Sequence, residues 1–212
     1  MIRNKKIIVL APHTDDGEIG AGGSIARFIE EGSEVYYVAF STADQSLPKE
    51  FSKGTLAIEV KRATRVLGIK PENLIIFDFE VRKLNFFRQD ILEKMVQLKK
   101  DINPDIILMP SLHDIHQDHS TIANEGLRAF KDKTILGYEL IWNNLTFDTT
   151  SFVKLKQHHV QQKCNAIKEY KTQSTKEYVK ENLIYSQAQT RGLQIGCNYA
   201  EAFEVIRLVI DF

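Results

Sequence analysis

Lys6 to Gly23 reads KIIVLAPHTDDGEIGAGG: an apolar run, a turn holding one histidine and two aspartates, and a glycine-rich continuation. The apolar part, Ile7 to Ala11, is too short for a signal-peptide core or a membrane span and predicts a buried strand. From Ile19 to Glu31 apolar residues recur at three- and four-residue spacings, which predicts a helix. Strand, polar turn and helix in that order open a βαβ unit, and the same alternation continues down the chain. Further strands are predicted at Glu34 to Phe40, Leu74 to Phe77, Ile106 to Met109 and Ile135 to Leu140. Crossover helices are predicted at Leu56 to Leu67, Phe86 to Ile102 and Thr121 to Phe130. Gly32 and Gly68 stand where helix-terminating glycines belong, and Pro71 and Pro104 mark turns before the third and fourth strands. Beyond Trp142 the pattern weakens to a helix from Leu155 to Lys171, another from Lys176 to Gln189 and a closing apolar run from Phe203 to Ile210. The reading is an α/β fold, a Rossmann-like three-layer sandwich around a mainly parallel sheet, with 1–212 as a single domain.

A chain of 212 residues that is 43% hydrophobic and 26% charged can bury one substantial core. Lys plus Arg and Asp plus Glu number 28 each, so no overall field draws the protein to nucleic acid or to an anionic membrane. The expectation is a cytoplasmic protein with a small-molecule partner; a homo-oligomer is compatible with the sequence, though no feature specifies one. Cys164 and Cys197 lack metal or redox spacing, and a cytosolic pair is normally reduced.

Four of the six histidines lie in two short segments, each just past the end of a predicted strand. In open parallel sheets ligands bind beyond the carboxyl ends of the strands. The first segment delivers His13, Asp15 and Asp16; the second, PSLHDIHQDHS from Pro110 to Ser120, delivers His113, Asp114, His116, Asp118 and His119. Two imidazoles and one carboxylate are a catalytic zinc set that leaves a position open for water. Gly20 to Gly23 superficially suggest a dinucleotide loop, but such a loop needs its first glycine directly after the strand, and two carboxylates there would repel a pyrophosphate. The bland reading of Asp15 and Asp16 is helix capping, and the glycines then serve close approach of helix to sheet. His116 and His119 are three residues apart and share a face if a helix begins here. By chemistry alone either ligates a metal.

Both segments resemble those of the LmbE-like, PIG-L group of zinc-dependent N-acetylglucosamine de-N-acetylases, whose members carry His-x-Asp-Asp followed by glycines, and His-x-Asp-His. Weaker agreement lies in Glu59, Ala63, Leu67 and Gly68, in Tyr170 and Gln173, and in Arg191 to Phe203, a stretch similar to the bacillithiol-type branch. Carried over position by position, the resemblance implies that His13, Asp16 and His119 hold Zn2+, that Asp15 is the general base, and that His116 is the electrophilic or acid partner, oriented by Asp118. Thr14 stands where many relatives have proline, Gly17-Glu18 replaces a glutamate directly after the aspartates, and Leu56 stands where an arginine shapes some family sites. Fe2+ fits the same ligand set.

The implied reaction is hydrolysis of an amide C–N bond, removing an N-acetyl group from a sugar or sugar conjugate. Arg191 and Tyr199 are candidate substrate contacts, since arginine suits a carboxylate or phosphate on a conjugate; Ser41 to Gln45, after the second strand, is another source of polar groups. A metal-dependent amidase or esterase on another acylated substrate is the first rival, and a non-catalytic sugar-binding relative the second.

Overall fold

A computed structural model describes residues 3–210. Seven strands form one sheet in the order β3-β2-β1-β4-β5-β7-β6. β1 (Lys6–Ala11), β2 (Glu34–Ala39), β3 (Leu74–Ile76), β4 (Ile106–Pro110) and β5 (Thr134–Tyr138) run parallel. β7 (Tyr199–Arg207) runs antiparallel between β5 and the edge strand β6 (Ser151–Leu155).

The central strand shows why both faces are covered. Ile7, Val9 and Ala11 point to one side, where α1 (Asp16–Glu30), α2 (Thr55–Leu67), α5 (Gln157–Ile167) and α6 (Glu181–Gln194) contribute to the core. Ile8 and Leu10 point to the other, against α3 (Arg88–Ile102) and α4 (Gln117–Ala129). Every residue from Ile7 to Ala11 is fully buried, which is the continuous apolar signature of a two-sided parallel strand. Burying a large aliphatic side chain contributes about 1.5–3 kcal/mol. The strand therefore anchors the turn that carries His13, Asp15 and Asp16.

Several boundaries differ from the sequence reading. α1 begins at Asp16 and α4 at Gln117, earlier than the apolar periodicity suggests, because polar residues occupy both first turns. A 3-10 turn over Leu84–Phe87 precedes α3. Ser151–Leu155 is an edge strand and not the start of a helix; Leu155 ends β6, and α5 follows from Gln157. Lys176 to Lys180 hold a 3-10 turn, Glu177–Val179, before α6 starts at Glu181. The closing run is strand from Tyr199 to Arg207. Among the described residues, no helix is long and apolar enough to cross a membrane, and Cys164 and Cys197 are free thiols.

The chain leaves β1 toward β2 on one side, while β4 and β5 lie on the other. The sheet thus reverses its winding between β1 and β4, and the crevice beyond their carboxyl ends is the topological switch point. Both histidine segments open into it.

Candidate active site

Asp15 occupies the N-cap position of α1, yet its side chain makes no capping bond. The capping reading fails for it, and the carboxylate is left for the cavity. Asp16 turns back instead: its Oδ2 accepts from the His13 backbone N–H at 2.8 Å. The tight turn depends on α1 lying against the sheet. A Cβ on Gly20 would sit 2.3 Å from the Tyr138 ring, and one on Gly17 would sit 2.6 Å from that of Tyr37.

Three donors converge. His13 Nδ1 lies 3.1 Å from Asp16 Oδ2, His119 Nε2 lies 3.3 Å from the same oxygen, and the two ring nitrogens are 3.3 Å apart. Tetrahedral zinc with bonds of 2.0–2.1 Å spaces its ligands by about 3.3–3.4 Å, so the triangle has the size of one face of such a site. The tautomers agree. His13 Nε2 faces Asp118 Oδ2 at 2.9 Å, and His119 Nδ1 faces Asp114 Oδ2 at 2.7 Å. Each carboxylate takes the proton-bearing nitrogen of its ring, and the other nitrogen presents a lone pair to the triangle, as in carboxylate–histidine–metal arrangements.

Burial alone would lower the His13 pKa, but Asp16 and the bond to Asp118 carry it up to about 9. For His119 burial is again outweighed, by Asp16 and Asp114, and the value reaches about 10. Burial would raise Asp16, but His119 and His13 hold it well below the usual carboxylate range. Burial, then the Asp16 charge, pushes Asp15 up to about 6. Beneath the turn, Glu18 binds the hydroxyls of Tyr37 and Tyr170, both of which also reach the Thr14 carbonyl. Burial raises the Glu18 carboxyl to about 8.

His116 caps α4, its Nδ1 accepting from the Asp118 backbone N–H at 3.2 Å. The Asp118 carboxylate does not orient His116 as expected; it accepts from His13 and from the backbone N–H groups of Arg82, at 2.6 Å, and Leu84, at 3.2 Å. Because Nδ1 accepts, His116 carries its proton on Nε2. Burial and the nearby His119 and His13 lower its pKa to about 4, so it is a neutral hydrogen-bond donor, a form suited to polarising a carbonyl. Its ring stacks on His119 with centroids 4.4 Å apart. His113 lies elsewhere, grouped with Asp148 and Glu204.

The donors open into a cavity of about 350 Å³. Neither predicted substrate contact reaches it. Arg191 pairs bidentately with Glu139, its Nε at 3.0 Å from Oε2, and stands over the Phe147 ring; a guanidinium satisfied this way pins α6 to the end of β5. Tyr199 opens β7 opposite Leu155 and packs edge-on against Tyr185. Of the loop after β2, Ala43 lines the cavity, joined by Ser46 just beyond it. Leu56 lines it as an apolar wall. The sequence reading missed Arg82, Trp142, Asn143, Lys176 and Tyr178, which also line it. Glu59 supplies one available signal: a buried acid on an apolar helix face, it accepts from Thr172 N and Oγ1 and so fixes the 3-10 turn Lys171–Gln173, whose Thr172 and Gln173 line the cavity.

A larger concavity, about 810 Å³, lies between the end of α1 and the end of β6, where Glu30 meets His158 and His159. His159 Nδ1 accepts from the Lys156 backbone N–H at 3.1 Å, so its Nε2 is protonated and donates to Glu30. That hydrogen bonding accounts for the cluster.

Fold and donors together define an α/β protein with a two-histidine, one-carboxylate centre at its switch point. The chain belongs to the PIG-L family, described as GlcNAc-PI de-N-acetylase, whose model matches residues 8–130 and so takes in both motifs. It is 30% identical over 133 residues to the diacetylchitobiose deacetylase of Thermococcus kodakarensis, an alignment covering 59% of this chain and 49% of that protein. The chain thus spans about half the length of that relative. Among solved structures, the N,N'-diacetylchitobiose deacetylase of Pyrococcus horikoshii superposes with a TM-score of 0.80 at 21% identity, over 95% of this chain and 84% of that one. A 4-carboxy-2-hydroxymuconate hydratase from Pseudomonas putida KT2440 also reaches 0.80, at 19% identity and 98% coverage of both chains. The fold alone therefore does not choose the reaction.

Proposed function

We propose that the chain is a metal-dependent hydrolase that removes the acetyl group from an N-acetylglucosamine-type sugar, releasing acetate and a free amine. The observation that carries this reading is the donor triangle of His13, Asp16 and His119, its ring tautomers set by Asp118 and Asp114, with the uncommitted Asp15 beside it. Those three residues would hold zinc, or iron(II), for which the set is equally suited. The ion would polarise the acetamide carbonyl and lower the pKa of a water from 15.7 to about 7.

This chain's own residues then do the rest. Asp15 takes a proton from the attacking water as the O–C bond forms. Neutral His116 donates its Nε2–H to the developing oxyanion, an interaction whose removal typically costs about a hundredfold or more in rate. Protonated Asp15 returns the proton to the nitrogen as the C–N bond breaks. A pKa near 6 suits a group that must accept and then release a proton close to neutrality. Family membership and the match to a diacetylchitobiose deacetylase support the sugar amide as substrate. Incubation of the metal-loaded protein with N-acetylglucosamine glycosides tests it: acetate and free amine should appear in equal amounts and cease on chelation. Absence of amine with every glycoside overturns the reading.

A further inference from the structure

His113, Asp148 and Glu204 converge at the carboxyl ends of β4 and β5, with one ligand atom of each within 4.8 Å of the other two. His113 and Asp148 are exposed, and the buried Glu204 carboxylate organises them. Its Oε1 accepts from the Asp148 backbone N–H at 3.0 Å, and its Oε2 accepts from the Ser111 hydroxyl at 2.5 Å. That hydroxyl oxygen in turn accepts from the His113 backbone N–H at 3.0 Å. One buried acid thus sets the backbone of both exposed partners. Gly137 makes room for it, since a Cβ there would stand 3.1 Å from Ser111 Cα and 3.4 Å from Glu204 Oε2.

The charges in this group are unbalanced. Among the described residues, no lysine or arginine bonds to the side chain of Asp148 or Glu204, and the donors to Glu204 are neutral. A buried carboxylate beside a second one is costly unless a cation lies between them. The His113 ring is uncommitted: among the described residues, neither of its nitrogens has a hydrogen bond or ion pair. This separates the group from Glu30, His158 and His159, where His159 already bonds through both ring nitrogens. Two ligands of one ion lie at most twice the bond length apart, about 4–4.4 Å for zinc. A small inward movement of the two exposed side chains therefore brings all three groups to bonding distance of one ion.

We propose that His113, Asp148 and Glu204 form a second metal site, separate from the donor triangle, that takes a divalent transition-metal cation such as zinc. Water completes the coordination. The imidazole favours such an ion over magnesium or calcium, which take oxygen ligands. Its place gives the ion a bracing role. Asp114, next to His113, accepts from the His116 backbone N–H at 2.8 Å and holds His119 Nδ1 at 2.7 Å. An ion bound by His113 ties the segment that positions His119 to β7 and to the loop before β6. The site does not rest on the deacetylase reading.

Because two of its ligands are exposed, this ion exchanges with solvent and is read at controlled free zinc, not on the protein as purified. Equilibrium dialysis of the metal-stripped protein against micromolar zinc makes the test. His113→Ala and Asp148→Asn should each bind one zinc fewer than the parent. Both positions are exposed, so neither substitution removes a core contact, and neither touches a residue of the donor triangle. The same zinc content in the parent and in either variant overturns the site. Zinc should also slow amide hydrogen exchange over Leu112 to Ile115 more in the parent than in His113→Ala; equal slowing overturns the bracing role.

Discussion

The Asp118 carboxylate stands 2.9 Å from Nε2 of His13, a ring whose other nitrogen faces Asp16 at 3.1 Å. Asp118 would thus stand one hydrogen bond behind the proposed metal ligand, and it fixes which nitrogen of His13 faces Asp16. Asp118→Asn should weaken zinc binding by about 10–100-fold, because an amide presenting N–H to the ring reverses its tautomer. Competition with a chelating dye measures this. Unchanged affinity would show that the ring does not depend on Asp118.

Asp15 and His119 should separate chemistry from metal binding. Asp15→Asn is expected to retain zinc and to lose about 10²–10⁴ in kcat, the range of a general base. His119→Ala should lose both zinc and activity. Metal analysis of the purified variants, beside acetate release, reads the split; full zinc occupancy in His119→Ala would remove that residue from the ligand set.

Glu18 sets a pH dependence of stability. Its folded value of about 8 lies above the ordinary 4.5, so between those two values the native state binds more protons than the unfolded chain. Stability from this group is complete below about pH 4.5 and is lost as pH rises toward 8 and beyond. Glu18→Gln keeps a neutral donor between Tyr37 and Tyr170, and its urea midpoint should fall less than the parent's between pH 5 and pH 9. Parallel curves would mean that Glu18 is ionised throughout.

Arg191 should behave as a structural residue. Arg191→Ala leaves the mostly buried Glu139 carboxylate unpaired and is expected to cost about 3 kcal/mol of stability. Below its melting temperature the variant should keep the parent KM. A large rise in KM without a loss of stability would return Arg191 to the substrate site.

The framework of this protein is written in local pattern. Apolar periodicity is a property of neighbouring residues, so the strand–turn–helix units around β1 and β4 are legible in the sequence, as is the placement of His13, Asp15, Asp16, His116 and His119 just beyond two strand ends. β6 was illegible because an edge strand of five residues, SFVKL, packs one face and carries little pattern. Family resemblance selected His119 over His116, which chemistry alone left open. Pairing at a distance belongs to the tertiary structure. Asp118 serves His13 across 105 positions and not its neighbour His116, Arg191 closes on Glu139 across 52, and Arg82 is bound to Asp118 across 36. Hydrogen bonds and ion pairs of this kind are set by where the sheet's winding reverses and by which crossover loop meets it, and that geometry exists only once strands distant in sequence are side by side.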